Sequence, residues 1–154
     1  MKEQLLETWK IHNRINLYLL EAIAAENLKE VSASKGRNVG EQFAHIHNVR
    51  LMWLQQAAPQ LLSGLKKVEK TDAAKKELLM SSLKASADAV ATLLDESLTN
   101  GGKLKGFKPH AVAYLGYLIS HESHHRGQII LGLKQSGHPV DKKVAYGIWE
   151  WGTR

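Results

Sequence analysis

Cysteine is absent from the 154 residues of this chain. That one absence removes disulfides, thiolate-bound zinc, iron–sulfur clusters and a cysteine nucleophile together. Any metal must then be held by histidine or carboxylate. Proline is scarce as well. Three in the whole chain argue against a loop-rich all-β protein and leave room for long helices. No apolar run approaches the roughly 18 to 20 residues that a membrane span needs. The opening Met1-Lys2-Glu3-Gln4 carries charge at once and leads into no apolar stretch, so no secretory signal is expected and the expected location is cytoplasmic.

What is present suits a folded protein. Hydrophobic residues make up 44% and charged residues 23%, enough apolar material to fill one core, so one domain over residues 1–154 is expected. Disorder and low-complexity assembly are poor readings of that composition. Basic residues outnumber acidic ones by 21 to 15, a formal net charge of +6 and a pI near 9.5, which raises the question of nucleic acid. The lysines, among them Lys66, Lys70, Lys84, Lys105 and Lys142, are scattered without stacking aromatics between them. A solvated surface is the better reading, with neither nucleic acid nor membrane as partner.

Four long helical patterns stand out and nothing alternates as a strand does. The first runs from about Lys2 to Leu28, with Leu5, Trp9, Leu19, Leu20 and Ile23 on one stripe. The second begins after Asn38, an N-cap that Glu41 completes as a capping box, and Pro59 stops it. The third follows Thr71 as N-cap and reaches about Leu98, its inward stripe being Leu79, Leu83, Ala87, Val90, Leu94 and Leu98. Asn100-Gly101-Gly102 ends it. The fourth has Pro109 near its first turn and runs to Ser136, with Gly137 beyond. At about 1.5 Å per residue it spans roughly 40 Å. A short last helix is expected over Val144 to Trp151, carrying Trp149 and Trp151. Helices of comparable length joined by short or moderate loops predict an all-α four-helix bundle.

Eight histidines are many for this length, and three crowd into His121-Glu122-Ser123-His124-His125. His121 and His125 stand one helical turn apart, so both imidazoles project to one side within reach of a common metal. They flank the apolar stripe of Tyr114, Leu115, Leu118, Ile129 and Leu133 and face the bundle, whereas His124 points to solvent or a neighbour. A third ligand can come from the second helix. Taking Ile46, Val49, Met52 and Trp53 as its apolar face puts His45 on the edge of that face and His47 on the far side with Arg50. His45 is therefore the inward candidate and His47 the solvated one. His12 and Asn16 lie within the first helix's apolar stripe and read as hydrogen-bonded core polar residues, the alternative being that they line the pocket. His110 and His138 sit beside loops and receive no role.

Two motif matches fall on the same run. His121 to His125 fits H-E-x-x-H, the zinc-protease signature with Glu122 as general base, but Leu131 occupies the place of a further histidine. No strand pattern offers a place to hold a substrate peptide. Glu122 with His125 also reads as E-x-x-H, half of a di-iron bundle pattern that has no second copy here.

These residues carry a resemblance. Asn38-Val39-Gly40-Glu41-Gln42-Phe43-Ala44-His45-Ile46 resembles the G-E-x-x-x-H-I segment of the DinB family, and His121-x-x-x-His125-Arg126-Gly127-Gln128 resembles its H-x-x-x-H-R-G-Q motif. Asn13 to Leu20 is similar to the family's first helix. The resemblance implies a four-helix bundle, often dimeric, in which three histidines hold a divalent metal. By position those are His45, His121 and His125, the same three that face-counting selects. It also implies thiol-dependent chemistry, since better-understood relatives are transferases and isomerases using bacillithiol, mycothiol or glutathione.

The leading expectation is a metal-dependent S-transferase-like enzyme with a small-molecule substrate, working as a homodimer. Zinc or nickel suits the ligands, and a low-molecular-weight thiol would supply the sulfur that the chain lacks. Glu122 is the candidate for orienting a histidine or acting as general base, its plainer alternative being a pair with Arg126 one turn on. The rivals are a metal-dependent hydrolase and a non-catalytic helical module that holds metal. Trp149 and Trp151 are the residues to test for a dimer face.

Overall fold

The computed structural model describes all of residues 1–154 and is helical throughout, with no strands. Four long helices form the expected bundle: α1 (Lys2–Glu21), α2 (Val39–Ala57), α3 (Lys76–Thr99) and α4 (Ala111–Gln135). A short α5 (Lys142–Gly147) follows, and 3₁₀ turns occupy Ala25–Lys29, Pro59–Leu62, Lys70–Asp72 and Trp151–Thr153. In the bundle α3 packs against α1 and α2, while α4 packs against α2, α1 and α3. No helix is long and apolar enough to cross a membrane.

Local chemistry explains three of the helix ends. Asn38 accepts a hydrogen bond from the Glu41 amide at 2.8 Å, and Glu41 Oε2 accepts from the Asn38 amide at 3.1 Å, the reciprocal box that the spacing predicts. His110, to which no role was expected, caps α4 by accepting from the Ala113 amide at 3.1 Å. Gly137 closes the other end of α4 in a left-handed conformation, φ 83°, that costs glycine little.

Three expected helices have other bounds: the last spans Lys142–Gly147 and leaves Trp149 and Trp151 beyond its end. The first helix stops at Glu21, because Ile23 and Leu28 must both fold back into the core. The third begins at Lys76, not after Thr71. The chain between turns through 3₁₀ geometry so that Ala73 can lie buried under the start of α2. There the Ala73 carbonyl lies where a Cβ on residue 40 would be, and glycine at that position is what lets the two segments meet.

The apolar core is in two parts. One gathers Ile15, Leu19, Phe43, Ile46, Leu79 and Ile129 with their neighbours. The other gathers Trp9, Leu54, Val90, Leu94, Tyr114 and Leu118. Between them, at the same level of all four helices, lie polar side chains with almost no exposure: His12 and Asn16 of α1, Arg50 of α2, Ser86 of α3, and Glu122 and Arg126 of α4.

This layer corrects the reading of the second helix. Arg50 is fully buried and His47 nearly so, whereas Met52 is 54% exposed. The inward stripe of α2 is Phe43, Ile46, His47, Arg50 and Leu54. His47 is not solvated. Its Nε2 donates to the Lys66 carbonyl at 2.8 Å, which ties the segment after α2 back onto the helix.

Candidate metal centre

Glu122 holds the polar layer together. Arg50 grips it through two charge-assisted bonds, Nε to Oε1 and Nη2 to Oε2, each 2.7 Å. His12 Nε2 donates to Oε2 at 2.8 Å and Asn16 Nδ2 at 2.7 Å. Arg50 Nη1 goes on to the Leu83 carbonyl at 2.9 Å and Ser86 Oγ at 3.2 Å. Burial alone would push the Glu122 carboxyl up, but the Arg50 guanidinium overrides it, and with His12 holds the group well below the ordinary carboxylate range. Burial lowers His12, whose remaining nitrogen faces Arg126 Nη1 at 3.4 Å.

Of the roles expected of Glu122, orienting a histidine is met at His12, which is not one of the three candidate ligands. A carboxylate with both oxygens committed, and held ionised this firmly, is a poor proton acceptor. The alternative pair with Arg126 does not form either: Arg126 donates to Asn16 Oδ1 at 2.6 Å and to Ser123 Oγ at 2.8 Å. Glu122 therefore joins α4 to α1 and α2.

The three candidate ligands stand beside this layer. His45 of α2 faces His121 and His125 of α4, and one ring nitrogen from each lies within 4.8 Å of the other two. His121 Nε2 and His125 Nε2 are 3.2 Å apart. Two imidazole nitrogens on one tetrahedral zinc stand about 3.4 Å apart, given Zn–N near 2.0–2.1 Å. The donor set fits a divalent ion. Three histidines make an open site, with a position left for another ligand.

Protonation supports the fit, because only neutral imidazole binds metal. Burial, with the nearby Arg37 charge, pushes His45 down to about 4. Burial and the neighbouring His121 do the same to His125. His121 is lowered by burial too. All three are neutral at pH 7. The tautomer of His125 is also settled by its surroundings. Its Nδ1 lies 2.5 Å from Gln42 Oε1, an acceptor, so that nitrogen carries the hydrogen and Nε2 is left free to ligate.

Three neighbours of the trio join the site only in the folded structure. Gln42, one turn before His45, orients His125. Tyr117, one turn before His121, stacks on its ring with centroids 5.9 Å apart and planes 15° apart. Beyond it Trp53, Phe107 and Tyr114 form an aromatic wall. The i−4 and i−3 spacings on the ligand helices were the available signal for Gln42 and Tyr117. Arg37 belongs to the segment before α2 and had none. His124 is exposed, as expected.

A helical bundle with an open trio of neutral histidines between two of its helices is thus what the fold and site define. The chain belongs to the DinB family, whose model matches residues 1–146 of the 154. Comparison with curated proteins and with solved structures found no match to this chain.

Proposed function

We propose that the protein is a metal-dependent enzyme of the thiol S-transferase type, in which His45, His121 and His125 hold a divalent ion, zinc or nickel, and a small molecule is the substrate. The observation that carries this reading is the set of three uncharged ring nitrogens facing one point, one of them fixed in its ligating tautomer by Gln42. A divalent ion there would lower the pKa of a thiol that reached it and supply a thiolate at neutral pH. Family membership supports a sulfur brought in from outside, and the lack of any cysteine is compatible with it.

The chain's own residues divide the remaining work. His45, His121 and His125 stay unprotonated because partial burial and the charges around them disfavour the imidazolium form. Gln42 keeps His125 from rotating. The Arg50–Glu122 pair fixes α2 against α4, and with it His45 against the other two. Tyr117 stacks on the His121 ring and backs it against the aromatic wall of Trp53 and Phe107. The homodimer expected from the resemblance has a candidate face in the apolar groove between α4 and the C-terminal segment, beside Trp149, which is 75% exposed. A monomeric mass by light scattering would count against it.

Metal analysis by mass spectrometry on untagged protein tests the proposal. Close to one ion per chain in the wild type, lost in His45→Ala, His121→Ala and His125→Ala, is the expected result, followed by turnover in a screen of thiols with electrophilic acceptors. Absence of metal after incubation with zinc or nickel would end the reading. Turnover of esters or amides without thiol would replace transfer by hydrolysis. A chelator that lowers the melting temperature, with no turnover found, would leave a metal-holding module.

A further inference from the structure

A second recess opens directly beside His45. Its volume is about 240 Å³, and it is walled by α2 at Ala44, His45 and Asn48, by Arg37 before that helix, and by the segment Lys67 to Lys70. This segment is no loose loop. The Asn48 side chain clasps Val68 from both sides, Nδ2 donating to the Val68 carbonyl at 3.0 Å and Oδ1 accepting from the Val68 amide at 2.9 Å. Val68 itself is buried. The wall formed by this segment is therefore built in advance of any ligand.

The charges around the recess do not cancel. Arg37, Lys67 and Lys70 face Glu41 and Glu69. Glu41 is spent on the capping box, and Glu69 pairs with Lys67 at 3.5 Å. Arg37 and Lys70 form no side-chain hydrogen bond or ion pair with the protein. The Arg37 charge also reaches the trio, since it is among the influences that lower each of the three histidines. Two uncommitted cations beside an open metal centre form a bipartite site.

We infer that this recess is an anion subsite: Arg37 and Lys70 receive a carboxylate or phosphate group of the substrate while another part of the same molecule lies at the histidine trio. The substrate class is thus a small acidic molecule, and Arg37 and Lys70 determine the preference for it. The inference rests on the proposed function for the second half of that statement. The cationic recess stands without it.

The test uses cobalt(II)-loaded protein, in which thiolate binding is read from the visible absorption spectrum. Two probes of equal length are titrated, 3-mercaptopropionate and 3-mercapto-1-propanol, into wild type, Arg37→Gln and Lys70→Gln after metal content is checked in each. Both replaced residues are exposed, so folding is preserved. The wild type is expected to prefer the carboxylate probe by about tenfold, the worth of one charge-assisted hydrogen bond. Both variants lose the preference while keeping their affinity for the alcohol, and added salt weakens it. Equal affinities in the wild type, or a preference untouched by both variants, overturns the inference. If the protein takes no cobalt, or takes it and binds neither thiol, the proposed function has failed instead. Calorimetric titration with succinate then decides the subsite: saturable binding lost in Arg37→Gln sustains it, and no binding to the wild type overturns it.

Discussion

Arg50 and Glu122 meet as a two-pronged ion pair, 2.7 Å at each contact, in the middle of the bundle where neither side chain reaches water. Each is a close sequence neighbour of a candidate ligand: Arg50 follows His45 by five residues and Glu122 follows His121 by one. The pair therefore works as a register pin between α2 and α4. Sliding or turning either helix by one residue would separate the charges and scatter the three histidines at once.

Removing one half of this pair leaves the other charged and buried without a partner. Arg50→Leu is expected to destabilise the protein by about 3–5 kcal/mol, read as a lower urea midpoint with an unchanged slope. A loss below about 1 kcal/mol would show that the pair is not the pin described here.

Gln42→Ala is a subtler change, since it leaves all three histidines in place. Losing the bond that fixes the His125 tautomer is expected to weaken zinc binding by about 10- to 100-fold, with little change in melting temperature of the metal-free protein. Competition with a chromophoric chelator measures it, and an unaltered affinity would remove Gln42 from the site.

The pH response follows from the histidines. His12, His45, His47 and His125 all lie below the ordinary value of 6.5 in the folded protein. As pH falls below 6.5 the unfolded chain takes up protons that the folded one refuses, so stability declines from there towards pH 4. Glu122 adds to the loss below about 4.5, the ordinary value from which it is depressed. The melting temperature of metal-free protein should thus be flat above pH 7 and fall steadily towards pH 4. A melting temperature that holds or rises down to pH 5 would contradict this.

Gly40→Ala should act on the approach to α2. The new methyl would meet the Ala73 carbonyl, a backbone group with little freedom to move, and overpacking of this kind costs about 1–3 kcal/mol. Proteolysis between residues 63 and 75 should accelerate in the variant. Unchanged protection would mean that the segment moves away at no cost.

Much of the fold was open to reading because its signals are local. A capping box spans three residues, and the Asn38–Glu41 spacing set the start of α2 correctly. A helical turn spans four, so His121 and His125 had to share a side. The stripes of α1 and α3 showed in Trp9, Leu19 and Leu20 and in Leu83, Val90 and Leu94. The face of α2 was harder, because its inward side carries Arg50 and His47. Hydrophobicity alone turns that helix towards Met52, which is exposed, and away from Arg50 and His47, which are buried. Only partners on other helices, Glu122 for Arg50 and the Lys66 carbonyl for His47, make those residues tolerable inside.

Composition and periodicity determined an all-helical chain without cysteine, with histidines on facing helices suited to a divalent metal. Both follow from chain geometry that repeats every few residues, independent of where the rest of the chain lies. The tertiary structure alone decided that Glu122 faces Arg50, His12 and Asn16, that Gln42 sets His125, and that Arg37 and Lys70 stand beside His45. Those relations depend on how segments distant in sequence cross and rotate against one another, and a buried charge is tolerated only where such a crossing brings it an opposite partner.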